Sequence, residues 1–128
     1  METVQQPSLV LWDLHDGNII VNPENGELQA IIDGDRALWG DPLMDFPFRS
    51  FMTLSERWLT IYSQNLKLNC PIVDKTNTDA QVRIAWYDLY LALVMIIESV
   101  YRQYPPGHDS WAREMGTDAV NKLEGLLT

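Results

Sequence analysis

Two apolar, largely β-branched runs, Ile19 to Val21 and Leu28 to Ile32, flank the turn-forming stretch Asn22 to Gly26. Runs of that composition around a turn rich in Asn, Pro and Gly specify a β-hairpin. A hairpin reverses the chain, so its second strand returns Asp33 to the residues that precede the first. There Asp13 and Asn18 bracket a short polar loop, and two acids and an amide are expected to converge on one spot. Two carboxylates about 4 Å apart repel by roughly 4 kcal/mol at an effective dielectric near 20, which makes Asp13 and Asp33 costly neighbours without a cation. Magnesium takes a carboxylate or two and completes its octahedron with water and phosphate oxygens. Asn18 and Asp33 suit that role and leave Asp13 for other work.

The run Asp13-Leu14-His15-Asp16-Gly17-Asn18, a hairpin, then Ile32-Asp33 and Gly40-Asp41-Pro42 with Asp45 resembles the aminoglycoside phosphotransferase and choline kinase group, small-molecule relatives of the protein kinases. The resemblance is densest over residues 8–45, and the remainder is compatible with that family's C-terminal lobe. It implies an α+β fold: a mostly helical C-terminal lobe of a kinase-like fold, with a small β-hairpin carrying the catalytic loop. It also implies transfer of the γ-phosphoryl group of ATP, or another nucleoside triphosphate, to a hydroxyl of a small molecule, with Mg²⁺ as cofactor.

Carried over by position, the resemblance makes Asp13 the catalytic residue that accepts the substrate hydroxyl's proton or orients that hydroxyl. Asn18 and Asp33 become the magnesium ligands and so hold the nucleotide. Asp45 becomes a brace for the catalytic loop, while His15 and Asp16 line it without a chemical step. Two departures stand out. Leu11 replaces the His often found two residues before the catalytic Asp, and Trp12 replaces the small residue between them. The twelve residues before Asp13 hold no Gly-rich loop and no lysine, so residues 1–128 are expected to form the catalytic lobe with the nucleotide-binding lobe absent. The rival reading is a non-catalytic remnant or binding module that keeps the C-lobe fold.

At 128 residues the chain can bury roughly two-thirds of its unfolded surface in one core. A net charge of −9 argues against nucleic acid, whose phosphates are bound by basic patches, and suits a cationic acceptor. The single Cys70 forms no intrachain disulfide, and Glu2, Gln5, Gln6 and Pro7 interrupt any signal-like apolar run, so a cytoplasmic setting is expected. The longest apolar stretch, Leu89 to Ile97, is closed by Asp88 and Glu98. It is too short to span a bilayer and reads as a core helix, with no membrane partner.

Residues Ser8 to Leu11 read as a strand, and Gly34 to Asp45 as loop with at most one helical turn. Thr53 with Glu56, and Thr78 with Gln81, make capping boxes. The first opens a helix ending near Leu66 to Asn69. The second opens a long one reaching about Gln103, before Pro105-Pro106. A last helix spans about Asp109 to Leu127, with Ala112, Met115, Ala119, Val120, Leu123 and Leu127 as its apolar stripe. Trp39, Trp58, Trp86, Tyr87, Tyr90 and Trp111 could cage a quaternary ammonium by cation–π attraction, but such aromatics more often belong to the core. Asp35, Asp41 and Asp88 could meet a cationic substrate, but such acids more often form solvated surface.

Overall fold

The computed structural model describes residues 7–49 and 77–128, which fall in two compact units. In the first, β1 (Ser8–Val10) pairs antiparallel with β4 (Leu38–Gly40), and β2 (Ile19–Val21) pairs antiparallel with β3 (Leu28–Ile31). Short 3-10 turns at Asp16–Asn18, Gly34–Arg36 and Pro42–Asp45, and the one-turn helix α1 (Phe46–Arg49), complete it. In the second, α2 (Thr78–Tyr101) and α3 (His108–Leu127) pack on each other. The architecture is α+β, as expected. The helix expected from Thr53, together with Trp58 and Cys70, lies outside the described residues.

The hairpin forms where its apolar runs predict it. Ile19 faces Ile31 and Ile20 faces Ala30, and an irregularity after Ile20 brings Val21 opposite Leu28. The turn closes through Gly26 N–H to the Asn22 carbonyl and Asn22 N–H to the Glu27 carbonyl, each 2.8 Å. The side chains of Asn22 and Asn25 accept from the backbone two residues on, the local bonding that makes Asn a turn residue. Gly26 has φ +74°, a left-handed conformation that suits a residue without Cβ.

Residues 34–45 differ from expectation, because β4 lies between two of the 3-10 turns. Leu38 and Trp39 carry the strand character, but only a partner thirty residues away reveals it, since local Gly, Pro and Asp content signals loop. In the β1–β4 ribbon Val10 is fully buried, while Leu9 and its cross-strand partner Trp39 are exposed on the other face. Among the described residues of this unit, Val10, Trp12, Leu14, Leu43 and Phe48 are the buried apolar side chains, with Pro47. Pro42 and Pro47 sit at the first or second position of their turns, where a missing N–H costs nothing.

In the second unit α2 is capped one residue earlier than the Thr78 box implies. The Asn77 side chain accepts from the Asp79 and Ala80 N–H groups at 3.0 and 3.4 Å, a role Asn fills at least as well as Thr. Asp79 then pairs with Arg83 one turn on, at 2.9 Å. Val82 and Ala85 of α2 pack with Leu123 of α3, and Leu89 and Leu126 lean on them. A Cβ on Gly116 would stand 3.3 Å from the Ala92 Cβ, so this glycine marks close approach of the two helices. The buried stripe of α3 is Ala112, Gly116, Ala119 and Leu123, which turns Val120 and Leu127 outward.

The expectation that α2 is a buried core helix is overturned. Its buried residues form one side, Ala80, Val82, Ala85, Leu91 and Ala92, while Trp86, Tyr90, Leu93, Ile97, Val100 and Tyr101 are exposed. Trp39, Trp86 and Tyr90 are therefore not core aromatics. By length and composition alone, α2 is long and apolar enough to cross a membrane.

Candidate active site

The loop between β1 and β2 is held from three directions. Asp45, arriving from the far end of the segment, accepts the Leu11 and Trp12 N–H groups on one carboxylate oxygen, at 3.1 and 2.8 Å. This is the bracing geometry expected of it. Asp13 N–H bonds the Leu11 carbonyl at 2.7 Å, closing a three-residue turn with Trp12 at its apex. Trp12 has φ +62°, the rare and strained sense of such a turn, at a cost of roughly 1–2 kcal/mol for an L residue. It is held there by burial and by an edge-on contact with Phe48, ring centroids 5.4 Å apart.

Asn18 closes the third side. Its amide nitrogen donates to the Asp13 carbonyl at 2.8 Å, and its backbone N–H bonds the His15 carbonyl at 2.9 Å. The side chain is buried, so both ends of the loop are fixed to each other. With the nitrogen committed, Oδ1 is the atom Asn18 can offer a ligand.

The hairpin returns the chain toward the loop, as its pattern predicts. Ile32 N–H bonds the Asn18 carbonyl at 3.0 Å, extending the β2–β3 ladder by one rung and setting Asp33 next to Asn18's immediate partner. Asp33 has φ +59° and ψ +49°, and its side chain makes no capping bond to the turn it opens. The short side chain of Asp tolerates this left-handed region better than most residues. The carboxylate is therefore not drawn into local backbone bonding.

Asp13 is partly buried, and its Oδ1 lies 3.9 Å from His15 Nε2, too long for a hydrogen bond. His15 Nδ1 accepts the Gly17 N–H at 3.0 Å. The neutral ring thus carries its proton on Nε2, the nitrogen that faces Asp13. His15 is also the N-cap of the Asp16–Asn18 turn, a role its place before Asp-Gly could have signalled. A Cβ on Gly17 would meet the His15 ring at 2.8 Å, so Gly17 is explained by ring proximity.

Asp41, expected as solvated surface, is buried, and its Oδ1 caps the next turn through Leu43 N–H at 3.1 Å. Among the described residues no three His, Cys, Asp or Glu side chains are grouped to hold a metal ion. A magnesium site built from one carboxylate, one amide oxygen, water and phosphate does not require such a group. Asn18 and Asp33 are the candidates for it: the Asn18 amide nitrogen is committed to the Asp13 carbonyl, which leaves Oδ1, and the Asp33 side chain makes no capping bond to its turn.

The model of the phosphotransferase enzyme family matches residues 2–67, which include the loop, the hairpin, β4 and Asp45. No curated protein matches the chain, and no solved structure does.

Proposed function

The chain belongs to the phosphotransferase enzyme family, and we propose that it carries the catalytic lobe of a kinase-like domain that moves the γ-phosphoryl group of a nucleoside triphosphate, such as ATP, onto a hydroxyl of a small molecule. One observation carries the reading: the Ile32 to Asn18 backbone bond sets Asp33 beside the residue whose amide clamps the Asp13 carbonyl. Three groups distant in sequence thereby share one end of a hairpin.

Asp13 accepts the proton of the substrate hydroxyl as that oxygen bonds phosphorus and the bond to the departing nucleoside diphosphate breaks. The γ-turn at Trp12 and the Asn18 amide fix the peptide units on both sides of Asp13, so the carboxylate does not have to be ordered at the moment of reaction. A positioned base of this kind contributes typically 10²–10⁴-fold. Asn18 Oδ1 and the Asp33 carboxylate would hold magnesium, which would supply neutralisation of phosphate charge when bound. The excess of acidic over basic residues favours a cationic acceptor over an anionic one.

The test pairs binding with transfer. Calorimetry with ATP should show Mg²⁺-dependent binding that Asp33→Asn abolishes. Asp13→Asn should retain that binding and lose transfer to hydroxyl acceptors by roughly 10²–10⁴-fold. Wild-type turnover by Asp13→Asn would contradict the assignment of Asp13, and tight Mg²⁺–ATP binding by the wild-type chain would contradict a non-catalytic remnant.

A further inference from the structure

We propose that His15 is the positioning residue of the candidate site: its Nε2–H engages one oxygen of the Asp13 carboxylate and so turns the other toward the incoming hydroxyl. This rests on the assignment of Asp13 as the proton acceptor. The bonds that fix the peptide units around Asp13 stop at its backbone, so the direction of the carboxylate depends on what faces it. Among the described residues, the side-chain nitrogen within 4 Å of that carboxylate is His15 Nε2, 3.9 Å from Oδ1.

The ring is not free to choose its tautomer. Nδ1 accepts the Gly17 N–H at 3.0 Å, and the hydrogen bond made by one ring nitrogen decides which of the two carries the proton. Neutral His15 therefore presents a donor to Asp13 instead of a lone pair. Gly17 makes room for this placement, since a Cβ there would stand 2.8 Å from the ring Cε1 and 3.2 Å from Nδ1. The separation from Asp13 exceeds bonding distance by about 1 Å, and catalytic hydrogen bonds often tighten only when substrate arrives. His15 takes no proton in this role; the proton of the hydroxyl passes to Asp13. A histidine that only capped the Asp16–Asn18 turn would need Nδ1 alone.

Two variants separate the nitrogens, and at a side chain 45% exposed neither empties a core. Asn reproduces Nδ1: its oxygen caps the turn and nothing reaches Asp13. Gln reproduces Nε2: its amide N–H reaches Asp13 and nothing caps the turn. His15→Asn should melt with the wild type, keep its KM for ATP, and lose kcat for phosphate release from Mg²⁺–ATP, with water as acceptor, by roughly 10–100-fold, the effect of one hydrogen bond to a charged group. His15→Gln should melt lower and keep a higher kcat than His15→Asn. The opposite order, with His15→Asn like the wild type in both measurements, overturns the proposal. Asp13→Asn separates this from the underlying reading: wild-type turnover there sinks the assignment of Asp13, whereas its loss beside an unimpaired His15→Asn sinks only the role of His15. Nitrogen-15 NMR of the full chain decides without turnover. His15 should be protonated on Nε2, and that resonance should move in Asp13→Asn; a proton on Nδ1, or an Nε2 resonance indifferent to Asp13, overturns the proposal.

Discussion

Trp12 concentrates the residue-scale argument. Its backbone sits in a region that costs an L residue roughly 1–2 kcal/mol, and its buried ring against Phe48 returns more than that, since emptying such a site costs roughly 3–5 kcal/mol. Packing wins, and the strain is kept beside Asp13. Two variants separate the terms. Trp12→Ala forfeits the ring and keeps the strain, whereas Trp12→Gly forfeits the ring and relieves the strain. The Gly variant should therefore be the more stable of the two by about 1 kcal/mol, against the usual order, in urea denaturation followed by tryptophan fluorescence. Asp45→Ala strips the acceptor from two N–H groups at once and should cost about 2–3 kcal/mol. Asp45→Asn, which keeps an oxygen acceptor, should cost less in the same measurement.

At the scale of elements, α3 holds two glycines in opposite circumstances. Gly116 lies where α2 approaches, 3.3 Å from Ala92 once a Cβ is added, while a Cβ on Gly125 would meet nothing within 4 Å. Gly116→Leu should destabilise the helix pair by about 1–3 kcal/mol through overpacking. Gly125→Ala should stabilise it by about 0.5–1 kcal/mol through helix propensity alone. Urea midpoints read by circular dichroism check both signs. From the sequence both glycines look like equal weaknesses of one helix, because propensity is local and helix approach is not. The same division runs through the fold. The hairpin is legible because strand, turn and strand adjoin, and α2 is legible because its caps and periodicity are local. β4 is hidden because β1, thirty residues upstream, makes it a strand. The side of α2 that buries is hidden too, since a helix apolar almost all round does not say which face meets α3. At the candidate site, Asp13, Asn18 and Asp33 are nominated by their spacing and by the family resemblance, and the His15 cap is signalled by its place before Asp-Gly, but the Trp12 turn depends on a backbone angle that composition does not encode.

Across the whole molecule, twice as many acidic as basic side chains, 18 against 9, set how stability responds to pH, and Asp88 separates two contributions. Burial raises the Asp88 carboxyl above its ordinary value of 3.8, and Lys122 on α3 partly opposes the rise. A carboxyl whose folded value exceeds its unfolded one binds its proton more tightly in the folded state. Its stabilising contribution is complete below about pH 3.8 and is lost as pH climbs through the raised value. Ionisation of the remaining acids adds self-repulsion of the same sign. Salt distinguishes them, because mutual repulsion is screened over about 10 Å at 0.1 M, whereas the cost of burying one ionised carboxylate persists. Asp88→Asn is neutral at every pH, so it should melt with the wild type in acid and several degrees above it at neutral pH. Added salt should flatten the pH profile of both proteins and leave the neutral-pH gap between them. Lys122→Met removes the opposing charge and should steepen the wild-type loss above pH 4. Thermal melts at three pH values and two salt concentrations test this, and a gap that closes in salt would place the effect in general repulsion instead of at Asp88.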